Sequence, residues 1–231
     1  MSTVSSRSRG RAKRVPRGRG RASPASRRTP LSRERIAAAA LELVDREGLV
    51  ALSMRRLGAA LGVEGMALYR HFPSKAALLD GIVEVLLAEL AIPAPTDVPW
   101  QMVFREVARA YRALLLRHPN AIPLLAALEL SNPGAVRAAG AVMALLRAAG
   151  FDAPTALNVL ATIESYVIGA ALWETGTAPF RAERPLGVAL PLDADPYLVE
   201  LAPQLAQEDC AETFDFGLDV IIRGLANTAN S

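Results

Sequence analysis

The chain has 231 residues, 52% of them hydrophobic, a formal net charge of +3 and one cysteine, Cys210. That length suits one large domain or a small domain joined to a medium one, and the apolar content is ample for a packed core. A lone cysteine excludes an intramolecular disulfide and fits a reducing, cytoplasmic setting; no 12-residue stretch lacks a charged side chain, which argues against a transmembrane helix, and the positive N-terminus lacks the apolar segment of a secretory signal.

The net charge hides an asymmetry. Ten of the 26 basic residues lie in residues 1–30, which hold no acid, leaving 16 basic against 23 acidic residues in 31–231. The first 30 residues are rich in Arg, Ser, Gly and Pro and cannot bury enough apolar surface to offset chain entropy, so they are expected to form a disordered basic tail.

Beyond the tail almost every segment reads as helix. Ser32 is an N-cap, Ile36, Ala40, Leu43 and Val44 share one face, and Gly48 ends the first helix. Ser53 caps a short helix to Leu61, Gly62-Val63-Glu64 makes a turn, and a third helix is expected over Gly65–His71. Ser74 caps a fourth helix to about Leu90. Ala91–Pro99, with three prolines, reads as a hinge, and Trp100–Arg117 as a long amphipathic helix. A short helix follows over Pro123–Leu130; Asn132-Pro133 opens another that Gly150 closes. Asp152 and Pro154 open a very apolar helix to about Thr175; 176–194 reads as a loop, and Pro196–Gln207 and Glu212–Ala226 as the last helices. No alternation of period two supports a strand, so the expected fold is all-α.

Residues 53–72 carry the most information. Two short helices joined by a glycine-containing turn are a helix-turn-helix. Ala60 is small where the helices are expected to cross, and Val63 and Leu68 supply the buried face of the second. Gly65, Met66, Ala67, Tyr69 and Arg70 then point outward. A methionine beside a tyrosine and an arginine is unusual for a merely solvated face. It suits a DNA major groove, where arginine reads guanine and methyl groups touch thymine.

With Ile36, Ala39-Ala40, Gly48, Ser53-Met54-Arg55, Leu57, Leu61-Gly62-Val63, Leu68 to Phe72, Lys75 and Leu78-Leu79, residues 31–90 resemble the DNA-binding domain of the TetR family of bacterial repressors. The run from Phe214 to Leu225 resembles the C-terminal end of the tetracycline-repressor subgroup, so the resemblance covers about 31–231. It implies a helix-turn-helix domain over 31–76 and a helical ligand-binding and dimerisation domain over 77–231. By the same resemblance Ser53 and Arg55 meet phosphate and the groove edge, and Gly65, Met66, Ala67 and Arg70 face base edges. Tyr69, His71 and Lys75 hold phosphates, although Tyr69 and His71 equally suit capping and packing of the three-helix unit.

In this family the later helices form a pocket and two of them build a four-helix dimer interface. Here those two are the helices at 154–175 and 212–226, with Gly169, Ala170, Phe216, Gly217, Val220, Ile221 and Gly224 as interface candidates; an intrachain core is the alternative. Pocket candidates, spaced to face inward, are Phe104, Tyr111, Leu115, Leu125, Met143, Leu146, Tyr166 and Trp173, most of which suit a core equally well. The tetracycline-repressor subgroup binds its drug as a magnesium complex through histidine and acidic ligands. This chain departs from that: its two histidines are His71 and His118, and the acidic pocket position is Trp173, with Glu174 beside it. The expected effector is therefore a small apolar molecule, aromatic or amphiphilic, with no metal or cofactor.

The expected function is that of a dimeric, ligand-responsive repressor that leaves a palindromic operator on binding its effector. An enzyme is disfavoured. The sequence has no nucleophile elbow, phosphate loop or Cys/His cluster, Cys210 has no histidine near it in sequence, and Glu208-Asp209 reads as a solvated linker. A nucleoid-type DNA binder using the basic tail is the other rival, but it has no need of the long apolar helices.

Overall fold

A computed structural model describes residues 30–95, 97–128, 131–176, 191, 193–205 and 209–228. The basic tail over 1–30, apart from Pro30, and most of the 176–194 loop lie outside the described residues. Among the described residues the chain is helical, without strands: α1 (Arg33–Glu47), α2 (Met54–Leu61), α3 (Gly65–Leu68), α4 (Lys75–Ala88), α5 (Trp100–Arg117), α6 (Ile122–Ala126), α7 (Pro133–Ala148), α8 (Ala153–Thr175), α9 (Pro196–Leu205) and α10 (Cys210–Thr228).

Local chemistry sets most of these ends. Hydroxyls of Ser32, Ser53 and Ser74 accept hydrogen bonds from the backbone N–H groups of Arg35, Arg56 and Ala77 at 3.1–3.2 Å. Each serine cap contributes about 1 kcal/mol. Gly62 ends α2 in the left-handed region (φ 68°, ψ 33°), where a side chain would be strained. Two expected helices are shorter than their sequence pattern. α3 ends at Leu68, whose carbonyl accepts from the N–H groups of both His71 and Phe72, and this tight turn swings Phe72 into the core. α6 ends at Ala126, after a 3₁₀ turn over Pro119–Ala121. α10 begins earlier than expected, at Cys210, because Asp209 Oδ1 accepts from the N–H groups of Ala211 (2.8 Å) and Glu212 (3.3 Å).

The first core lies between α1 and α4. Ile36, Ala40 and Val44 meet Leu78, Ile82 and Leu86, all fully buried, with Phe72 closing the base. A Cβ on Gly81 would come within 2.6 Å of Phe72 Cε1, so only glycine lets the ring lie against α4. α4 also packs on α6 and α7. There the buried Asn132 caps α7 through its side-chain oxygen and donates from Nδ2 to the Asp80 carbonyl of α4 at 3.1 Å.

The second core is formed by α5, α7, α8 and α10. Arg105, Arg109 and Arg112 form one stripe of α5. Arg105 Nε donates to Asp219 (3.0 Å), Arg109 is bidentate to Asp215 (both 2.9 Å), and Arg112 pairs with Glu174. The stripe ties α5 to α10 and α8. α8 is long and apolar enough to cross a membrane by length and composition, contrary to the expectation that no segment would be. Its packing against α5, α7 and α10 buries one side of it, through Ala156, Val159, Ile163, Val167 and Ala171, and leaves other apolar side chains such as Leu157 and Trp173 exposed.

Candidate DNA-binding face and ligand cavity

The two helices of the turn motif meet at glycines. A Cβ on Gly58 would lie 2.8 Å from Gly65 N and 2.9 Å from Val63 O, and one on Gly65 would lie 3.1 Å from Met54 O. The crossing point is thus Gly58 against Gly65, and not Ala60, which is exposed. Gly65 faces the backbone of α2; its place in the motif is close packing rather than an outward face. The side chains that flank the crossing, Leu57 and Leu68, are fully buried.

The remaining residues of the face divide by exposure. Met66 is 73% exposed and Tyr69 43%, and Arg55, Arg70 and Lys75 are exposed, while Ser53, Ala67 and His71 are partly covered. An exposed methionine and tyrosine beside Arg70 give one surface both apolar and cationic. Ser53 commits its hydroxyl to the α2 cap. The His71 carbonyl accepts from Arg33 at 2.6 Å, and the Arg33 guanidinium lies 4.3 Å over the Phe72 ring, so α1 braces the end of the motif. Arg56 points back to Glu47 as an ion pair.

A cavity of about 190 Å³ opens between α4, α5, α7 and α8. Phe104 and Tyr111 line it, with Leu87 from α4, Leu90 from the segment after it, Val142 from α7 and Glu164 from α8. Of the eight pocket candidates only Phe104 and Tyr111 are there. Leu115, Leu125 and Leu146 are buried away from it as core side chains. Met143 borders a separate hollow with Arg147 and Phe151. Tyr166 and Trp173 sit in a shallow groove between α8 and α10, next to Cys210. Sequence reasoning missed Glu164 and the α7 alanines Ala135, Ala138 and Ala139, whose i, i+3, i+4 spacing puts small side chains on one face and leaves the space. Burial pushes the Glu164 carboxyl above its ordinary range. It also pushes the Tyr111 phenol up, helped by the negative charge of Glu164.

The α8–α10 surface carries a second apolar feature. Phe216 is 72% exposed and Val220 54%, and nothing stands in front of Gly169 or Gly224. Ala170 and Ile221 are partly covered. Gly217 differs: a Cβ there would lie 2.2 Å from Tyr166 Oη, so it is a close contact within the chain and not an outward-facing glycine. Tyr166 Oη donates to the Phe214 carbonyl at 2.8 Å and its ring stacks on Phe214 at 5.3 Å. Glu174 is already held by Arg112.

Polar contacts tie α1 and the end of α4 to the C-terminal end of α5. His118 Nδ1 lies 2.9 Å from Asp45 Oδ2 of α1, and Asn120 Nδ2 donates to the Asp45 carbonyl at 3.0 Å. Arg117 pairs with Glu89 at 2.7 Å.

Residues 36–82 match the family described as bacterial regulatory proteins, tetR family, and residues 92–229 match the tetracyclin repressor-like, C-terminal domain. The chain belongs to the TetR family. The tetracycline repressor protein class A from transposon 1721 of Escherichia coli is 34% identical over 203 residues, spanning 86% of this chain and 92% of that one. HTH-type transcriptional repressor DrrR1 of Streptomyces coeruleorubidus is 34% identical over 142 residues, 61% of this chain and 53% of that protein. Among solved structures, the Streptomyces coelicolor TetR family protein ActR in complex with actinorhodin superposes with a TM-score of 0.74 at 30% identity, over 88% of this chain and all of that one. Mycobacterium smegmatis BioQ with its double-stranded DNA operator gives 0.60 at 25% identity, over 86% of this chain and 99% of that one. These TetR relatives are transcriptional regulators, and this chain shares their all-helical fold with an N-terminal helix-turn-helix.

Proposed function

We propose that this TetR-family protein is a homodimeric, cytoplasmic repressor whose α2–α3 motif holds a palindromic operator and releases it when a small apolar molecule fills the cavity. The observation that carries the reading is the double role of α4: it packs on α1 behind the DNA-facing motif, and its far end supplies Leu87 to the cavity wall, with Leu90 just beyond it. A ligand that repositions α4 therefore bears on both. Division of labour falls near residue 76, with the head before it and the effector and dimer functions after it.

Arg70 and Met66 are the base-reading residues, Ala67 sets close approach, and Arg55, Tyr69, His71 and Lys75 hold phosphates; Ser53 contributes by fixing α2. The dimer forms through α8 and α10, since Phe216 and Val220 are large apolar side chains left uncovered beside the open faces of Gly169 and Gly224. The protein acts by binding rather than by catalysis. Metal plays no part in release, because Glu174 is occupied by Arg112 and His118 by Asp45.

Footprinting on the DNA flanking its own gene tests this reading. A discrete palindromic footprint is expected, and uniform coverage would indicate a nucleoid-type binder instead. Phe216→Asp tests the interface: it is expected to yield folded monomers that lose the footprint, and an intact dimer on a sizing column would place the interface elsewhere.

A further inference from the structure

The wall of the cavity is chemically lopsided. Among the described residues that line it, only Tyr111 and Glu164 carry side-chain polar atoms; the rest are hydrocarbon. Tyr111 stands on α5 and Glu164 on α8, and both line the same cavity. Neither makes a side-chain hydrogen bond or ion pair among the described residues. The arginines that face the bundle from α5 are engaged elsewhere, on Asp219, Asp215 and Glu174. Glu164 is half-buried, and among the described residues no side chain pairs with it, so solvent reaching through the open side of the cavity stabilises its charge.

An apolar molecule entering the cavity displaces that water. If it is neutral and without donors, it strands the carboxylate or forces a proton onto it, and either outcome opposes binding. An anion adds like-charge repulsion. A cation reverses the balance: it pairs with the carboxylate inside a hydrocarbon wall where the interaction is strong, while the rest of the molecule covers apolar surface. Resting on the reading of this cavity as the effector site, we propose that Glu164 and Tyr111 make the protein selective for apolar amines, bound as ammonium ions whose N–H groups donate to the Glu164 carboxylate and the Tyr111 hydroxyl.

The test uses the full-length protein and three ligands that share one ten-carbon chain: decylamine, 1-decanol and decanoate. Each competes with the neutral fluorophore N-phenyl-1-naphthylamine. Decylamine is expected to displace the fluorophore about tenfold or more better than decanol, as a hydrogen bond to a charged group predicts, with decanoate weakest. Glu164→Gln is expected to bring decylamine down to decanol's level and leave decanol unchanged, which a general loss of folding would not do. Tyr111→Phe is expected to weaken decylamine by a smaller factor. Equal displacement by amine and alcohol, or an amine preference that survives Glu164→Gln, would overturn the proposal alone. A fluorophore that does not bind, or whose binding survives the cavity-filling Val142→Trp, would overturn the cavity reading along with it.

Discussion

Small residues do opposite work in the head and in the cavity. In the head they sit where two elements touch: Gly58 meets Gly65 across α2 and α3, and Gly81 meets the ring of Phe72, with no room for a single added carbon at either contact. On α7 the alanines Ala135, Ala138 and Ala139 face an opening of about 190 Å³. A close-packed head holds its outward side chains at fixed positions for a rigid partner such as duplex DNA. An under-filled bundle leaves room for a guest, whose own contacts then offset the packing the bundle forgoes. α4 joins the two regions, packing on α1 in the head and on α7 in the bundle.

The contrast can be broken most severely from the head side. Phe72→Ala removes a fully buried ring from the α1–α4 core and is expected to cost about 3–5 kcal/mol in denaturant unfolding, with loss of DNA binding. A paired test sharpens the comparison. Gly58→Leu is expected to destabilise by about 1–3 kcal/mol or more, because the backbone of α3 cannot retreat, whereas Ala139→Leu, which grows into open space, is expected to change stability by less than about 1 kcal/mol. Equal costs for the two would erase the distinction between a tight head and a roomy bundle. Arg70→Ala leaves stability unchanged and is expected to weaken specific operator binding by about 1–3 kcal/mol, with relaxed preference at one position in each half-site, as mobility-shift titrations read it. Lys75→Ala is expected to weaken all sequences alike.

The smallest effect concerns pH. A hydrogen bond from Arg109, aided by its charge, holds the Asp215 carboxyl below the usual carboxylate range. A carboxyl lowered by folding stabilises the fold above its unfolded pKa, and that contribution fades as pH falls through the folded one. The pair is solvent-accessible, so the effect is small. Thermal melts of the wild type are expected to lose slightly more stability than Asp215→Asn as pH drops below about 4. Parallel loss in both would leave the α5–α10 tie without a role.

The head was the more legible region because its signals are local. Ser32, Ser53 and Ser74 mark helix starts by chemistry acting over three residues, and exposure of Met66, Tyr69 and Arg70 follows from a single short motif. The sequence does not separate Gly58 from Ala60 as the crossing point, because both are small and only the backbone path distinguishes them. The bundle was less legible. Leu115, Leu125 and Leu146 share the inward spacing of Phe104 and Tyr111, but spacing cannot separate a side chain that faces a core from one that faces a hole. Gly217 and Tyr166 lie far apart in the chain, so their contact has no local trace. Glu164 is one of two charges on the apolar α8, the other being Glu174, and nothing local marks it as facing a cavity.

The central claim is that the DNA-facing motif and the cavity are coupled through α4. Hydrogen exchange of the full-length protein, free and bound to the footprinted operator duplex, tests it without needing the effector. Protection of α2 and α3 is expected on DNA, together with altered exchange in the cavity end of α4 around Ile82–Leu87 and in α7 from Ala138 to Val142. Changes confined to residues 33–75, with the α4 end and α7 exchanging identically in both states, would contradict it.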